Sequence, residues 1–335
     1  MGRKIRIIDA TMRDGTHALG YEVEPDKMAE YAKVIQQAGI DTIEIGHGFG
    51  LGASSINYGR LTHSDDEYFK EVAKVMTTAK LDALVMPGIA LLDDVDKAYE
   101  NGARVFRVAV HCTLGDCAEQ YIRYCKSLPG TEVFGFSMMS HMSDLDNIVL
   151  QSKRYEDYGA DGVYVTDSAG AMLPNQVGEY IAAVKNAVSV PVGFHGHNNL
   201  GLAIGNSLAA ADAGADCIDA TLCGMGAASG NAQMEVLAGV LQKSGYETGL
   251  DLFKLMDAAD QFRGMMKTPQ HINNEAFIVG YAGTYGSFYY HSQEVGEKYG
   301  VDPRLILLEL GRRGAVGGQD DMVIEIGLEL AGLKN

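Results

Sequence analysis

A repeated glycine pattern is the feature that most restricts how this chain can fold. At four places, a stretch with helical periodicity is followed by a glycine, by one or two small or polar residues, and then by a β-branched run; the glycines are Gly39, Gly102, Gly159 and Gly214. A glycine directly after a helix adopts the left-handed conformation at little cost. The apolar run is typical of a buried parallel strand, so the pattern predicts alternating helices and parallel strands.

The spacing of this pattern predicts a closed barrel. The four glycines lie 63, 57 and 55 residues apart, which is enough for two βα units per interval. Further apolar runs at residues 5–9, 81–86, 132–138 and 190–195 bring the predicted strands to eight. Eight alternating units favour an α/β fold of the (β/α)8 TIM-barrel type over an open sheet. Right-handed crossovers then place every loop that follows a strand on one face.

The end of the chain exceeds what a barrel needs. We expect residues 1–245 to form the TIM-barrel catalytic domain and residues 246–335 to form a mostly helical C-terminal extension. Helical periodicity predicts helices at residues 251–265, 274–281, 285–298, 303–313 and 320–332. The extension is expected to cap the active-site face, to form a subunit or partner interface, or to do both.

The charge and hydropathy of the chain exclude several classes of partner. The formal net charge is −17, which repels nucleic acid and anionic lipid. No apolar run reaches the roughly 20 residues of a membrane span, and the start of the sequence lacks a secretion signal. The sequence predicts a cytoplasmic protein that binds neither nucleic acid nor membranes. An anionic substrate would need a local positive charge from a metal ion or an arginine.

The end of the first predicted strand carries the most reactive combination of side chains. Arg13, Asp14 and His17 follow this strand within five residues, and the carboxyl ends of barrel strands hold the chemistry in this fold. The alternative interpretation is a solvated loop that contains an arginine by chance.

A second cluster follows the seventh predicted strand. His195 and His197 are two residues apart, so both imidazoles point to the same side of an extended chain. The pair is either a hydrogen-bonding pair or part of a metal site. Because strands seven, eight and one are neighbours in a closed barrel, Asp14 can complete a facial set of two imidazoles and one carboxylate. Such a set suits Mn²⁺, Co²⁺ or Mg²⁺ better than a structural zinc ion.

Polar residues of other loops have two interpretations each. Glu44 either orients Arg13 or His47, or it is a carboxylate of the rim. Asn231 either supports the metal ligands or caps the helix that follows it. Ser168 either donates a hydrogen bond to a carboxylate or forms a turn. The glycine-rich loop around His47 is expected to close over the site.

Together these motifs resemble the 4-hydroxy-2-oxovalerate aldolases, which are metal-dependent pyruvate aldolases related to isopropylmalate synthases and hydroxymethylglutaryl-CoA lyases. The resemblance runs from about Ile5 to the C-terminus. The tail motif favours the aldolases, because the related synthases and lyases end differently. The motifs are Arg13-Asp14-Gly15-x-His17-Ala18, His195-x-His197, Gly224-Met225-Gly226-Ala227, Gly230-Asn231-Ala232, Gly280-Tyr281-Ala282-Gly283 and Gly311-Arg312-Arg313-Gly314-x-Val316-Gly317-Gly318-Gln319-Asp320-Asp321-Met322.

The resemblance implies a retro-aldol cleavage of 4-hydroxy-2-oxovalerate, or a close 4-hydroxy-2-oxo acid, to pyruvate and acetaldehyde or another short aldehyde. Asp14, His195 and His197 are the implied ligands of a divalent metal, with Mn²⁺ preferred over Co²⁺ or Mg²⁺. Arg13 is implied to stabilise the pyruvate enolate, and His17 to act as the general base.

The resemblance also implies further contacts and a partner. Tyr285, with Tyr281 as the second choice, is expected to reach the site from the tail. The substrate-binding residues would be Ser168, Leu84, Met86, Glu44 and Tyr281, of which Leu84 and Met86 would shape the aldehyde pocket. Family members usually pair with an acylating acetaldehyde dehydrogenase and pass the aldehyde through a channel. We also expect an oligomer.

Two departures from the family pattern leave alternatives open. Asn198-Asn199-Leu200-Gly201 stands where the family has His-Asn-Leu-Ser, and this segment favours a Claisen-type acyl-CoA condensing enzyme or lyase of the same barrel group. Met86 stands where a leucine is common, which affects the preferred aldehyde. An alternative of another class is a non-catalytic subunit that docks an aldehyde dehydrogenase.

Overall fold

The strands of this chain close into a barrel. The computed structural model describes residues 2–333, and eight parallel strands in this range pair in the order β1 to β8, with β8 paired to β1. The strands are β1 (Arg6–Met12), β2 (Thr42–Ile45), β3 (Lys80–Val85), β4 (Ala103–His111), β5 (Glu132–Met138), β6 (Gly162–Asp167), β7 (Val192–Gly196) and β8 (Cys217–Ala220). The predicted (β/α)8 barrel is confirmed.

Helices connect the strands and continue beyond the last one. Pro25, Pro174 and Pro303 each stand at the first turn of a helix, where the missing N–H removes no hydrogen bond. The helices are α1 (Pro25–Ile35), α2 (Asp65–Ala73), α3 (Leu92–Glu100), α4 (Glu119–Ser127), α5 (Leu145–Asp157), α6 (Pro174–Ala187), α7 (Ala203–Asp212), α8 (Met234–Lys243), α9 (Leu252–Phe262), α10 (Asn274–Ala282), α11 (Phe288–Tyr299), α12 (Pro303–Arg313) and α13 (Asp320–Leu330).

The repeated glycines occupy the positions that the pattern predicts. Each of the four has a φ between +100° and +112°, a conformation that a side chain makes costly. Each lies between a helix and the next β-branched strand; they are Gly39, Gly102, Gly159 and Gly214. The chain reversal that starts every second βα unit therefore depends on them.

The extension contains two kinds of helix. α9 packs beside α1 and α8, and its Phe262 meets Tyr31 of α1 edge-to-face with ring centres 5.2 Å apart. Helices α10 to α13 instead share an apolar cluster of their own around Phe288, Leu307 and Ile326. The division of the chain into residues 1–245 and 246–335 remains a prediction. Residues 1, 334 and 335 of these two predicted domains lie outside the described range.

The predicted helices of the extension agree with the structure apart from their ends. α12 has the predicted bounds, whereas α11 begins at Phe288 instead of residue 285. Gly283 ends α10 in a left-handed conformation with φ +64°, and the chain then turns before α11. None of the helices within residues 2–333 is long and apolar enough to cross a membrane.

A buried ionic network crosses the inside of the barrel. Arg107 of β4 is fully buried, and its Nη1 lies 3.2 Å from Oε2 of Glu44 on β2. Its Nη2 donates to Oδ2 of Asp219 on β8, and its Nε lies 3.7 Å from Asp82 on β3. Burial and the nearby Glu44 raise the pKa of Asp82 well above its usual range. Glu44 and Asp219 are the nearer carboxylate partners of Arg107, and Asp82 lies further from its guanidinium.

Aromatic rings complete the surroundings of Arg107. Its guanidinium carbon lies 4.3 Å from the ring centre of Phe136 and 4.9 Å from that of Tyr164. These two rings stack with their centres 4.1 Å apart. The network therefore lies on an apolar layer of the barrel interior, where unpaired charge is costly.

Arg107→Met tests whether this network holds the barrel together. We expect the free energy of unfolding to fall by about 3–5 kcal/mol, because the substitution leaves buried carboxylates without their cation. Chemical denaturation of the full chain measures this change.

The matched control is Arg123→Met, which removes an exposed arginine paired with Glu119 at 2.8 Å. Exposed pairs contribute little, so the control should unfold at the wild-type denaturant concentration. An equally small effect of Arg107→Met would contradict a structural role for the network.

Candidate active site

Three neighbouring strand ends bring the candidate metal ligands together. One turn of 3-10 helix at Asp14–His17 follows β1, and His195 lies near the end of β7. β8 lies between these strands and is hydrogen-bonded to both. His197 lies just past β7, where its backbone bridges to Asn231 in the loop after β8. Closure of the barrel therefore places the three candidate ligands at one end.

The geometry of these three residues fits a divalent cation. One ligand atom each from Asp14, His195 and His197 lie within 4.8 Å of one another, and all three residues are buried. The two Nε2 atoms are 3.4 Å apart, and Nε2 of His197 lies 3.7 Å from Oδ2 of Asp14. Two imidazole nitrogens and one carboxylate oxygen leave about three positions of an octahedral ion open.

The protonation states of the site suit a cation. Burial raises the pKa of Asp14, but the charge of the neighbouring Arg13 opposes burial, and the pKa lies well below its usual range. Burial lowers the pKa of His197 to about 4. At neutral pH the site therefore offers an ionised carboxylate and a neutral imidazole, the forms that bind metals.

Two polar contacts fix the candidate ligands in place. Nδ1 of His195 lies 2.9 Å from Oδ2 of Asp219, so the Nδ1 proton is donated to this carboxylate and Nε2 keeps its lone pair. Asn231 donates through Nδ2 to Oδ2 of Asp14 and to the carbonyl of Met225. Of its two interpretations, Asn231 therefore supports a candidate ligand, while Gln233 occupies the cap position before α8.

Arg13 lies beside the candidate ligands in a fixed orientation. It is 7% exposed, and its Nε donates to Oε2 of Glu44 at 2.7 Å. Its Nη1 lies 3.1 Å from Oδ1 of Asp14 and donates to the carbonyl of Gly48 at 3.2 Å. Glu44 thus orients Arg13, as one of its two interpretations stated.

His17 also lies beside Asp14. Its Nε2 is 3.8 Å from Oδ1 of Asp14, and its Nδ1 is 2.7 Å from the hydroxyl of Tyr21. Burial lowers the pKa of His17 to about 4, so the imidazole is neutral at pH 7. Gly48 leaves room for this ring, since a Cβ there would lie 2.2 Å from Nε2 of His17.

The glycine-rich loop after β2 folds against this site. His47 is fully buried, accepts from the backbone N–H of Phe49 through Nδ1 at 3.1 Å, and donates from Nε2 to the carbonyl of Gly59 at 3.1 Å. The loop carbonyl of Gly48 reaches Arg13. The expected closure of this loop over the site agrees with these contacts.

The other sequence-predicted residues have contacts with residues other than the three candidate ligands. Leu84 is buried in the apolar layer inside the barrel, and Met86 packs against that layer. The hydroxyl of Ser168 accepts from the backbone N–H of Met139 at 3.1 Å, which is a loop contact. The ring of Tyr285 stacks on His111 at the end of β4, with centres 6.3 Å apart. Tyr281 is 65% exposed and stacks on Phe277 instead.

The extension covers this end of the barrel. Nε2 of His141, in the loop after β5, donates to the carbonyl of Gly283 at 2.9 Å. Gln270 donates to the carbonyl of Gly226, in the loop after β8, at 3.0 Å. A Cβ at Gly280 of α10 would lie 2.9 Å from the Cβ of Asn199. α10 and the segment before it therefore lie on the loops that surround the candidate site.

Asn198 and Asn199, which favoured a Claisen-type enzyme, have structural contacts. Oδ1 of Asn198 accepts from the N–H of Ala203 at the start of α7. Asn199 is buried, donates to the carbonyl of Ala169 at 3.0 Å and accepts from the N–H of Ser229 at 3.2 Å. The bonds of Asn199, which stands where the family also has asparagine, join the loops after β6, β7 and β8. One departure from the family pattern is at Asn198, whose side chain bonds the start of α7.

Sequence reasoning missed the residues that support the site from inside the barrel. Asp219 orients His195, and Arg107 joins Asp219 to Glu44. The sequence does contain a signal, because Arg107 and Asp219 are charged residues within largely apolar strands. A buried charge needs a partner, so such residues indicate an ion pair inside the barrel. That signal alone does not name the partner.

Two family models match this chain. Residues 4–261 match the HMGL-like family, and residues 270–332 match the DmpG-like communication domain. The 4-hydroxy-2-oxovalerate aldolase of Carboxydothermus hydrogenoformans is 53% identical over 332 residues, which cover 99% of this chain and 98% of that protein. The chain belongs to the 4-hydroxy-2-oxovalerate aldolase family. The aldolase of Pelotomaculum thermopropionicum is 48% identical with the same coverage.

These findings confirm the predicted family, and with it the enzyme class of the aldolases, which are lyases. Solved structures agree on the fold. The carboxyl transferase domain of Rhizobium etli pyruvate carboxylase with pyruvate and biocytin has a TM-score of 0.81 and 16% identity, covering 99% of this chain and 61% of that chain. The same domain in another structure gives a TM-score of 0.78 at 17% identity, covering 98% and 61%.

Asp14→Asn tests whether the three residues form a metal site. We expect the affinity for Co²⁺ to fall by more than about 100-fold, because the anionic ligand is lost from a set of three. The visible absorption of bound Co²⁺ during a titration measures the affinity.

Asp41→Asn is the control. Asp41 pairs with Arg6 at 2.9 Å and directly precedes β2, so it lies at the end of the barrel opposite the candidate site. It should bind Co²⁺ as the wild type does. Equal affinity of the Asp14 variant and this control would show that the ion binds elsewhere.

Proposed function

We propose that the chain is a divalent-metal-dependent aldolase that cleaves 4-hydroxy-2-oxovalerate, or a close 4-hydroxy-2-oxo acid, to pyruvate and acetaldehyde or another short aldehyde. The observation that carries the proposal is the meeting of a candidate metal-binding set, a buried arginine and a neutral histidine where the ends of β1 and β7 lie close together. Relatives of near-equal length and 45–53% identity named 4-hydroxy-2-oxovalerate aldolase support the same reaction.

The resident ion is proposed to be Mn²⁺, with Co²⁺ and Mg²⁺ as alternatives. Mixed imidazole and carboxylate donors suit these ions, and Asp14, His195 and His197 would hold the ion. When bound, it would act as a Lewis acid that polarises the oxygens of the 2-oxo acid and offsets the charge of its carboxylate.

Arg13 is proposed to stabilise the oxyanion that develops at C2. Its Nε is held by Glu44, so the guanidinium keeps its orientation and pays no reorganisation when charge develops. Its Nη1 lies 3.1 Å from Asp14, so its positive charge would lie beside a substrate bound to the ion.

His17 is proposed to be the general base. Its imidazole is neutral at pH 7, because burial lowers its pKa to about 4. Its Nε2 lies on the side of Asp14 and can accept the proton of the C4 hydroxyl. As this proton leaves, the C4 oxygen becomes the aldehyde carbonyl and the electrons of the C3–C4 bond form the enolate. Protonation of the enolate at C3 then gives pyruvate.

The remaining predicted residues are proposed to shape the substrate site. Leu84 and Met86 extend the apolar layer of the barrel interior towards the strand ends and would contact the aldehyde portion. Tyr285, beside His111, would close the site from the extension. Ser168 would donate its hydroxyl proton to the pyruvate carboxylate, since its oxygen already accepts from Met139. Tyr281, largely exposed, is the weaker candidate.

We also propose that an acylating acetaldehyde dehydrogenase docks on this chain and receives the aldehyde, and that the assembly is oligomeric. The match of residues 270–332 to the DmpG-like communication domain supports the partner. The same segment exposes Phe277, Tyr281 and Tyr290, at 46%, 65% and 64% of their surfaces, and exposed aromatic residues are typical of interfaces.

A substrate series tests the proposed reaction. The full chain, loaded with Mn²⁺, is offered 4-hydroxy-2-oxo acids of five, six and seven carbons, and pyruvate is measured with a coupled lactate dehydrogenase assay. We expect pyruvate from at least the five-carbon acid and none after the metal is chelated. Release of CoA from acyl-CoA and a 2-oxo acid, without pyruvate formation, would identify a Claisen-type enzyme instead. An inactive chain that still binds the dehydrogenase would identify a docking subunit.

Arg13→Ala tests the role of the guanidinium. We expect kcat to fall by about 100-fold or more, as for the loss of an oxyanion-stabilising contact, while Co²⁺ affinity stays within about threefold of wild type. Arg263→Ala, which removes an arginine with a 57% exposed side chain, should keep the wild-type kcat. Full turnover by the Arg13 variant would rule out the assigned role.

A further inference from the structure

Two aromatic rings contact the imidazole of His17, and a third ring, that of His47, packs on both of them. We call Tyr21, His47 and Phe49 the aromatic nest. The hydroxyl of Tyr21 lies 2.7 Å from Nδ1 of His17. Phe49 meets the imidazole of His17 edge-to-face, with centres 5.0 Å apart and planes at 88°. The nest therefore fixes both the tilt of the His17 ring and the nitrogen that turns away from Asp14.

The backbone of Tyr21 is held in a conformation that tyrosine rarely adopts. Its φ is +63°, and the left-handed region costs a residue with a side chain roughly 1–2 kcal/mol. Its N–H donates to the carbonyl of Thr16 at 2.9 Å, which closes a tight turn directly after the 3-10 helix. A strained residue persists only where its surroundings hold it, and this strain brings the Tyr21 hydroxyl back to His17.

The residues around the Tyr21 ring provide a stacking partner and leave space for it. The ring stacks on His47, with centres 4.3 Å apart and planes at 12°. A Cβ at Gly59, whose φ is +93°, would lie 2.4 Å from Cε2 of Tyr21, so a larger residue would displace the ring. Gly59 also accepts the Nε2 proton of His47 through its carbonyl. Gly59 thus holds His47 through its carbonyl and leaves space for the ring of Tyr21 that stacks on His47.

We propose that Tyr21 is a positioning residue for His17 in the aldol reaction, and this inference rests on the proposed function of His17 as the base. A base that accepts a proton at Nε2 needs its lone pair there, so the neutral ring must carry its proton on Nδ1. The Nδ1–H then donates to the oxygen of Tyr21. The contact keeps Nε2 directed towards Asp14, and the proposed tautomer is the one in which the tyrosine oxygen is the acceptor.

The same contact persists through proton transfer. When Nε2 takes the proton of the C4 hydroxyl, the Nδ1 proton stays on the ring and continues to donate to Tyr21. The positive charge of the imidazolium is then shared with a hydroxyl oxygen that already faces it, as in second partners that orient other catalytic histidines. No proton is lost to Tyr21, and no further reactant is needed.

Tyr21→Phe removes the hydroxyl and keeps the ring that stacks on His47. In the full-length, Mn²⁺-loaded protein we expect kcat for pyruvate formation to fall about 10- to 100-fold, by analogy with the loss of a hydrogen-bond partner that orients a metal-bound histidine. KM should stay within about twofold, because Tyr21 binds His17 and not the substrate. Tyr58→Phe is the matched control, since it removes a hydroxyl from a ring that packs on Phe49, and it should keep the wild-type kcat.

A spectroscopic readout separates positioning from a merely structural role. Nitrogen NMR of the full chain with ¹⁵N-labelled histidine reports which ring nitrogen of His17 is protonated, and the spectrum of His17→Gln identifies the signals of His17. We expect protonated Nδ1 in the wild type and in Tyr58→Phe, and a shift towards protonated Nε2 in Tyr21→Phe.

The proposal requires both changes in Tyr21→Phe, the selective loss of kcat and the altered tautomer. Either change without the other, or a loss of kcat that follows a loss of folded protein, would overturn it. A wild-type protein that forms no pyruvate would defeat the proposed function, yet the tautomer in the spectra would still decide whether Tyr21 holds His17.

Discussion

Closure of the barrel by pairing of β1 with β8 is the constraint on which the rest of this structure depends. Arg6 to Asp9 of β1 pair in register with Cys217 to Ala220 of β8, and β8 pairs with β7. This order makes the ends of β7 and β1 near neighbours, although they lie at opposite ends of the barrel sequence. Asp14 meets His195 and His197 for this reason, and an open sheet would separate them.

The charge inside the barrel links stability to the site. Arg107 holds two carboxylates, and each has a second partner at the strand ends: Asp219 receives Nδ1 of His195, and Glu44 receives Nε of Arg13. One cation therefore orients both a candidate metal ligand and the arginine beside it. Since an uncompensated buried charge is costly, neither carboxylate can turn away without destabilising the barrel.

The sequence predicted the barrel and the residues of the candidate site because both follow local rules. Glycine spacing and β-branched runs are local, and so are the side chains that follow a strand end. Side-chain partners across the barrel are not local: Asp219 and Tyr21 lacked a pattern that named their partners, His195 and His17. Asn231 had an alternative as a helix cap, and only the tertiary structure shows its bond to Asp14.

The proposed reaction requires that Asp14, His195 and His197 share one ion beside Arg13. Crystals of the chain grown with Mn²⁺, measured at the manganese absorption edge, locate the ion by its anomalous scattering. We expect one strong peak at about 2.2 Å from an oxygen of Asp14 and from Nε2 of His195 and His197. A peak held by other residues, or ligand atoms too far apart to share the ion, would contradict the account.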